Sequence, residues 1–121
     1  MATRSRIGIE NENGTITSIY CHFDGYPDGV GATLKEHYLS TQKVRMLLNL
    51  GDISILGEQI ATMDEHTFEN PKEGITVAYH RDRGEVKREA RTDVSIEQFK
   101  NRLDEDYGYV YSKGGNWLTV R

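Results

Sequence analysis

The sequence has little cysteine, little proline and no long hydrophobic run. Its one cysteine, Cys21, has no second cysteine with which to form an internal disulfide, and this agrees with a reducing compartment. No apolar run approaches the roughly 18 residues that a membrane-spanning helix needs. No apolar segment follows Arg4 and Arg6, as it would in a secretory signal. We therefore expect a soluble cytoplasmic protein without a membrane partner.

An excess of positive charge is also absent. The 121 residues include 15 Lys and Arg against 19 Asp and Glu, which gives a formal net charge of -4. Proteins that bind nucleic-acid backbones carry the opposite balance, so we expect no bulk nucleic-acid partner. A local pocket for one small anion is compatible with this charge, because such a pocket needs only two or three well-placed cations.

Length and pattern favour a single α+β domain over 1–121. Segments 6–10 and 15–23 are predicted to form a hairpin, because the intervening Asn13-Gly14 tolerates the positive φ of a tight turn. In the second strand, the period of two predicts a core face that consists of Ile19, Cys21 and Phe23.

Three helices are predicted. A short helix begins near Val30, and the clearest helix covers 41–50, with Ser40 as its N-cap and Gly51 at its end. A third helix follows Ser95, whose spacing from Gln98 is that of a capping box.

Between the second and third helices the pattern is weaker. Segment 51–74 has no sustained period and reads as irregular, whereas 75–81 reads as a strand. Segments 107–111 and 117–120 form a terminal hairpin. The predicted order is ββααβαββ, and the simplest architecture is an antiparallel sheet of about five strands with helices packed on one face.

Aromatic and polar side chains are concentrated in 20–27, where the second strand runs into a turn rich in glycine and proline. The period of two puts Tyr20 and His22 on the face opposite the core. Tyr20 and Tyr26 can stack on a base, His22 can donate to a phosphate, and Asp24 can accept from a base or a ribose hydroxyl. The alternative is that these residues only cover the sheet and build a turn.

Two arginines lie at the end of the predicted strand 75–81. In an extended chain the spacing of Arg81 and Arg83 aims both guanidinium groups the same way, so that they can clamp a phosphate. The alternative is an exposed charged turn whose side chains pair loosely in solvent.

A glycine-containing turn, 28–31, precedes the first helix. Its amides can cradle an anion, but no Gly-Lys-Ser/Thr follows as in a Walker motif, and a plain turn is the alternative.

Metal and nucleophile chemistry have less support. Plausible metal ligands are present, but no pair has the spacing of a His-Glu-x-x-His helix or a Cys-x-x-Cys knuckle; they are Cys21, His22, Asp24, His37, His66 and His80. Cys21 lies on the apolar face of its strand, where thiols are usually inert. We expect no metal site, no cofactor and no catalytic residue.

Two segments, SIYCHFDGYP at 18–27 and AYHRDRGE at 78–85, carry a resemblance to other proteins. Together with 5–8, 37–38 and 50–54, they make the chain resemble, over nearly its whole length, a family of small bacteriophage and prophage proteins. The segment 18–27 is the most specific part. The resemblance implies a small phage accessory protein that acts in the cytoplasm of the infected bacterium, in host takeover or counter-defence.

Small phage proteins of this type include some that bind cyclic nucleotides or cyclic ADP-ribose and withhold them from immune effectors. We expect this chain to sequester such a nucleotide-derived signal without catalysis, because tight binding needs stacked rings and phosphate clamps but no poised base or nucleophile. One alternative is an inhibitor of a host defence enzyme that acts by protein contact. Another is a hydrolase of a nucleotide signal, with His22 or His37 as general base and Asp24 as its orienting partner.

The edge strands of a small sheet also permit a homo-oligomer. The candidate ligand-binding residues for a small nucleotide-like ligand are Tyr20, His22, Asp24, Tyr26, His37, Tyr79, Arg81, Arg83 and Trp117.

Overall fold

The structure is a computed structural model that describes residues 2–61, 71, 73–86 and 90–120. These residues contain seven strands: β1 Ser5–Glu10, β2 Ile16–Cys21, β3 Ile53–Ile55, β4 Val77–Ala78, β5 Arg91–Asp93, β6 Tyr107–Tyr111 and β7 Trp117–Val120. The same residues contain four α-helices: α1 Ala32–His37, which continues a π-helical turn over Pro27–Gly31, α2 Thr41–Leu48, α3 Tyr79–Arg83 and α4 Ile96–Asn101. Within these described residues, no helix has the length and apolar character to span a membrane.

The seven strands form one mixed sheet in the order β4-β3-β2-β1-β6-β7, and β5 pairs with the first half of β2. The α+β class is confirmed, but the prediction of about five antiparallel strands is wrong in detail. β1 runs parallel to β6, and β2 runs parallel to β3. β3 and β5, which were not predicted from the sequence, have three residues each. Three residues are too few to show a period of two.

Apolar residues pack on both faces of the sheet. On one face Ile7 and Tyr109, which are register partners in β1 and β6, pack with α1 and α2. On the other face Val110 packs with Phe99 of α4. The prediction that helices pack on one face is therefore wrong, because β6 is buried on both sides and needs a second cover. Full burial of Phe99 contributes roughly 1.5 to 3 kcal/mol.

The helix signals with a local cause are confirmed. The Ser40 hydroxyl accepts from the Lys43 amide at 3.2 Å, and the Ser95 hydroxyl accepts from the Gln98 amide at 3.1 Å. The Gln98 side chain in turn accepts from the amide of Val94. These bonds satisfy N–H groups that a helix leaves unpaired at its start.

The predicted strand over 75–81 is wrong in its second half. Only Val77–Ala78 is extended, and the chain then turns into α3. The carboxylate of Asp82 accepts from the amide of Ala78 at 2.8 Å, which stabilises the start of α3. Gly84 ends the helix with a φ of 76°. The charged run is thus mainly a short helix rather than a turn.

The prediction that Phe23 belongs to the core is wrong. β2 ends at Cys21, and the Phe23 side chain is 42% exposed. The amides of His22 and Phe23 donate instead to the Ile53 and Ser54 carbonyls of β3. The chain then turns at Asp24, whose φ is 58°, so the period of two no longer applies.

Candidate functional site

A pocket of about 220 Å³ opens where four segments meet. β2 contributes one wall, the turn after α2 a second, and α3 with the segment that follows it the rest. The lining residues combine two tyrosines, two carboxylates, an imidazole and two aliphatic side chains: Tyr20, Leu50, Asp52, Tyr79, His80, Glu85 and Val86. Concave sites with an apolar body and a few polar groups are typical of small-molecule binding.

Asp52 holds the walls of the pocket together. Gly51 has a φ of 77°, which lets the chain reverse after α2 and brings Asp52 beside β2. The Asp52 carboxylate accepts from the amide of Tyr20 at 3.0 Å, and the Asp52 carbonyl accepts from the amide of Tyr79 at 3.3 Å. The two tyrosines are therefore positioned by one residue.

Tyr20 and His22 lie on one side of β2, as the period of two predicts, and their side chains are hydrogen-bonded. The hydroxyl oxygen of Tyr20 is 2.6 Å from Nδ1 of His22. Burial raises the pKa of the Tyr20 hydroxyl. The tautomer of the imidazole sets which of the two atoms donates in this bond. The His22 ring packs edge-on against Phe23, with 4.5 Å between centroids. This contact and the hydrogen bond restrict the orientation of the Tyr20 ring beside the pocket.

His80 is also held in one orientation. Its Nδ1 donates to the carbonyl oxygen of Glu85 at 2.7 Å. In the neutral ring, this tautomer leaves Nε2 as a hydrogen-bond acceptor. His80 therefore presents a defined polar atom at the pocket.

The lining of the pocket is acidic. Asp52 and Glu85 contribute carboxylates, and the described lining residues include no lysine or arginine. Nε of Arg83 lies 3.4 Å from the Glu85 carboxylate, but both side chains are about half exposed, so solvent weakens this pair. The side chains of the described lining residues accordingly offer more acceptors than donors.

Arg81 and Arg83 do not form the predicted phosphate clamp. They lie in α3, where a spacing of two residues turns side chains to different sides of a helix. Arg81 donates to the carbonyl oxygens of Ile60 and Thr76 and to the carboxylate of Asp82. Its donors are used to tie α3 to the preceding chain, which is a structural role.

The turn with Asp24 and Tyr26 forms a separate place on the surface. The Tyr26 hydroxyl donates to the Asp24 carboxylate at 3.3 Å, and the Asp24 carbonyl accepts from the Val30 amide at 2.8 Å. The next carbonyl, that of Gly25, accepts from the buried Tyr109 hydroxyl at 2.7 Å. Asp24 thus pairs with Tyr26 rather than with His22, and the His22–Asp24 pair of the hydrolase alternative is not formed.

His37 and Trp117 lie at the end of α1 and not in the pocket lining. Nε2 of His37 is 3.6 Å from a carboxylate oxygen of Glu58. The indole N–H of Trp117 donates to the Tyr38 carbonyl at 2.8 Å, and its ring packs on Tyr111. Of the nine predicted residues, Tyr20 and Tyr79 line the pocket, and His22 is bonded to Tyr20.

Sequence reasoning missed several pocket residues. Asp52, His80 and Glu85 were not among the nine candidates, because local period and charge gave no signal for these positions. The turn after α2 and the chain from α3 to Glu85 bring them together.

Over the described residues, no three His, Cys, Asp or Glu side chains are grouped as they would be to hold a metal ion. His66 lies outside the described residues. Burial raises the pKa of the Cys21 thiol to about 12, so its reactive thiolate is scarce at neutral pH.

The chain was compared with models of protein families, with curated proteins and with solved structures. It matches none of them.

Proposed function

We propose that the chain is a phage accessory protein with an anti-defence role, which binds a nucleotide-derived immune signal and withholds it without catalysis. Signals of this kind include cyclic nucleotides and cyclic ADP-ribose. The observation that carries the proposal is the pocket between Tyr20 and Tyr79, with Asp52 and His80 in its lining.

The pocket supplies both elements of nucleoside recognition. Aromatic rings can stack on any of the bases, and each stack contributes roughly 1 to 3 kcal/mol to binding. The Asp52 carboxylate and Nε2 of His80 can accept from amino groups of a base or from ribose hydroxyls. Tyr20 is already restrained by His22 and Asp52, which lowers the entropy lost on binding.

Sequestration without turnover agrees with how the potential catalytic groups are used. His22 is hydrogen-bonded to a tyrosine hydroxyl and not to a carboxylate that would orient it as a base. The one thiol, Cys21, is fully buried. These observations favour the binding proposal over the hydrolase alternative with His22 and Asp24.

The test is incubation of the purified protein with cyclic nucleotides and cyclic ADP-ribose isomers, followed by mass spectrometry of bound and released material. The proposal expects intact ligand to be released on denaturation. Altered ligand would identify an enzyme. No binding to any compound would overturn the proposal and favour inhibition by protein contact.

The location of the site is tested by three tyrosine variants. Tyr79→Ala is expected to weaken binding about 5- to 100-fold, because a stacking ring is lost. Tyr20→Phe keeps the ring and loses only the bond to His22, so a smaller loss is expected. Tyr26→Ala removes an exposed ring in the separate turn. Unchanged affinity for Tyr26→Ala assigns binding to the pocket, whereas a loss confined to Tyr26→Ala would move the site to the turn.

A further inference from the structure

Resting on the proposed function, we infer that the pocket selects a single nucleoside unit, a base with its ribose, and that the phosphate groups of the ligand stay outside it. The selection arises from the size of the pocket, its two tyrosines and its acceptor-rich lining. It reverses the expectation of a phosphate clamp in this part of the chain.

The size of the pocket limits what enters. Its volume of about 220 Å³ is below the roughly 300 to 1,000 Å³ of sites for drug-sized ligands. One base with its sugar is a ligand of the smaller kind, whereas a whole dinucleotide is not. The pocket therefore holds one part of a cyclic dinucleotide or of cyclic ADP-ribose.

The charge of the described lining residues opposes phosphate. Asp52 is half-buried, and within the described part of the chain its carboxylate accepts only the amide of Tyr20, through Oδ1. Its second oxygen is thus an acceptor for a ligand amino or hydroxyl group. A phosphate at the same place would meet the negative charges of Asp52 and Glu85.

Two arginines of this region, Arg81 and Arg6, already have structural partners. Arg81 is bonded to two backbone carbonyls and to Asp82. Arg6, on the same face of the sheet as Tyr20, donates to the Ser18 hydroxyl at 3.0 Å and pairs with Glu105 at 3.4 Å. Moving Arg6 or Arg81 to a phosphate would break bonds that hold the fold.

The first part of the test is calorimetric titration at low ionic strength with adenosine and guanosine, their 5′-monophosphates and their triphosphates. We expect each nucleoside to bind at least as tightly as its monophosphate, and the triphosphate to bind about 3- to 10-fold more weakly than the nucleoside. A triphosphate that binds tenfold more tightly than its nucleoside overturns the inference and leaves the proposed function standing. No binding by any of the six compounds or by the cyclic signals overturns both.

The second part uses charge-neutral variants. Asp52→Asn keeps an oxygen for the Tyr20 amide, and Glu85→Gln keeps the side-chain shape. Each is expected to weaken nucleoside binding several-fold and to narrow the difference between nucleoside and triphosphate. Glu97→Gln removes the same charge from the exposed start of α4. This control should leave the affinities for nucleoside and for triphosphate unchanged. Equal behaviour of all three variants would overturn the role of the pocket carboxylates.

Discussion

The carboxylate of Asp52 accepts a hydrogen bond from the backbone amide of Tyr20, 32 residues earlier in the chain, at 3.0 Å. The Asp52 carbonyl accepts from the amide of Tyr79 on the other wall of the pocket. One residue in the turn after α2 thus connects β2 to α3. The two tyrosines are thereby held on facing walls of one pocket.

Two substitutions of Asp52 separate the effect of its hydrogen bond from the effect of its charge. Asp52→Ala leaves the Tyr20 amide without its acceptor, so we expect the free energy of unfolding to fall by about 1 to 3 kcal/mol. Asp52→Asn retains an acceptor oxygen and should lose less than half of that amount. Chemical denaturation monitored by circular dichroism measures both. Equal losses would show that charge, not the bond to Tyr20, stabilises this turn.

Arg81 is expected to affect stability before binding. Arg81→Ala removes donors from the carbonyls of Ile60 and Thr76 and from Asp82, so a loss of about 2 to 3 kcal/mol in the free energy of unfolding is predicted. Arg45→Ala is the matched control, because Arg45 is exposed and its bond to the Asn11 side chain lies at the surface, where substitutions usually change stability by only about 0.5 kcal/mol. The order of the two melting temperatures checks the assignment. A less stable Arg45→Ala would contradict it.

Gly29 packs closely against the backbone of Asp24 in the preceding turn. A Cβ at this position would be 2.4 Å from the carbonyl oxygen of Asp24, which is closer than such atoms approach. Gly29→Ala should therefore destabilise the fold by about 1 to 3 kcal/mol through displacement of the turn. Gly114→Ala is the control, since its nearest neighbours would be 3.8 Å away. Urea denaturation of both variants tests the difference, and similar midpoints would rule out the steric explanation.

Cys21 predicts an alkaline loss of stability. Burial raises the pKa of its thiol from the ordinary 9.0 to about 12, so the folded state holds this proton more tightly than the unfolded state. The contribution is complete below about pH 9 and is lost as the pH rises towards 12, with a slope of about 1.4 kcal/mol per pH unit. Cys21→Ala lacks this group, and its stability should fall less between pH 9 and pH 10.5 than that of the natural chain.

The Cys21 prediction compares how steeply the stability of the two proteins falls with pH, because buried tyrosines also lose protons at alkaline pH. Burial also raises the pKa values of Tyr38 and Tyr109, and these groups are present in both proteins. Parallel stability curves for the natural chain and for Cys21→Ala would mean that the thiol is not protected by the fold.

The elements that could be predicted from sequence are those whose cause is local. The helices after Ser40 and Ser95 have caps within three residues, and both were correct. The hairpin around Gly14 depends on a positive φ at one position, and the terminal hairpin on a similar turn at Gly115. Each of these signals acts over a few neighbouring residues, so a single segment contains the necessary information.

Errors arose where a distant partner decides the conformation. β3 and β5 are strands because they pair with the second edge of β2, and β3 also pairs with β4. Tyr79–Arg83 has a residue pattern that suits a strand as well as a helix, and the bond from Asp82 to the Ala78 amide and the partners of Arg81 favour the helix. The predicted phosphate clamp of Arg81 and Arg83 was wrong for the same reason, because it assumed that the chain is extended there.

The sequence by itself determined the α+β class, the caps of α2 and α4, both hairpins, and the presence of Tyr20 and His22 on one side of a strand. Only the tertiary structure decided that helices cover both faces of the sheet and that Tyr20 and Tyr79 share a pocket with Asp52, while Tyr26, His37 and Trp117 lie elsewhere. The physical reason is range. Caps, turns and the period of two act between near neighbours, whereas a pocket is formed by hydrogen bonds between segments tens of residues apart, which local periodicity does not contain.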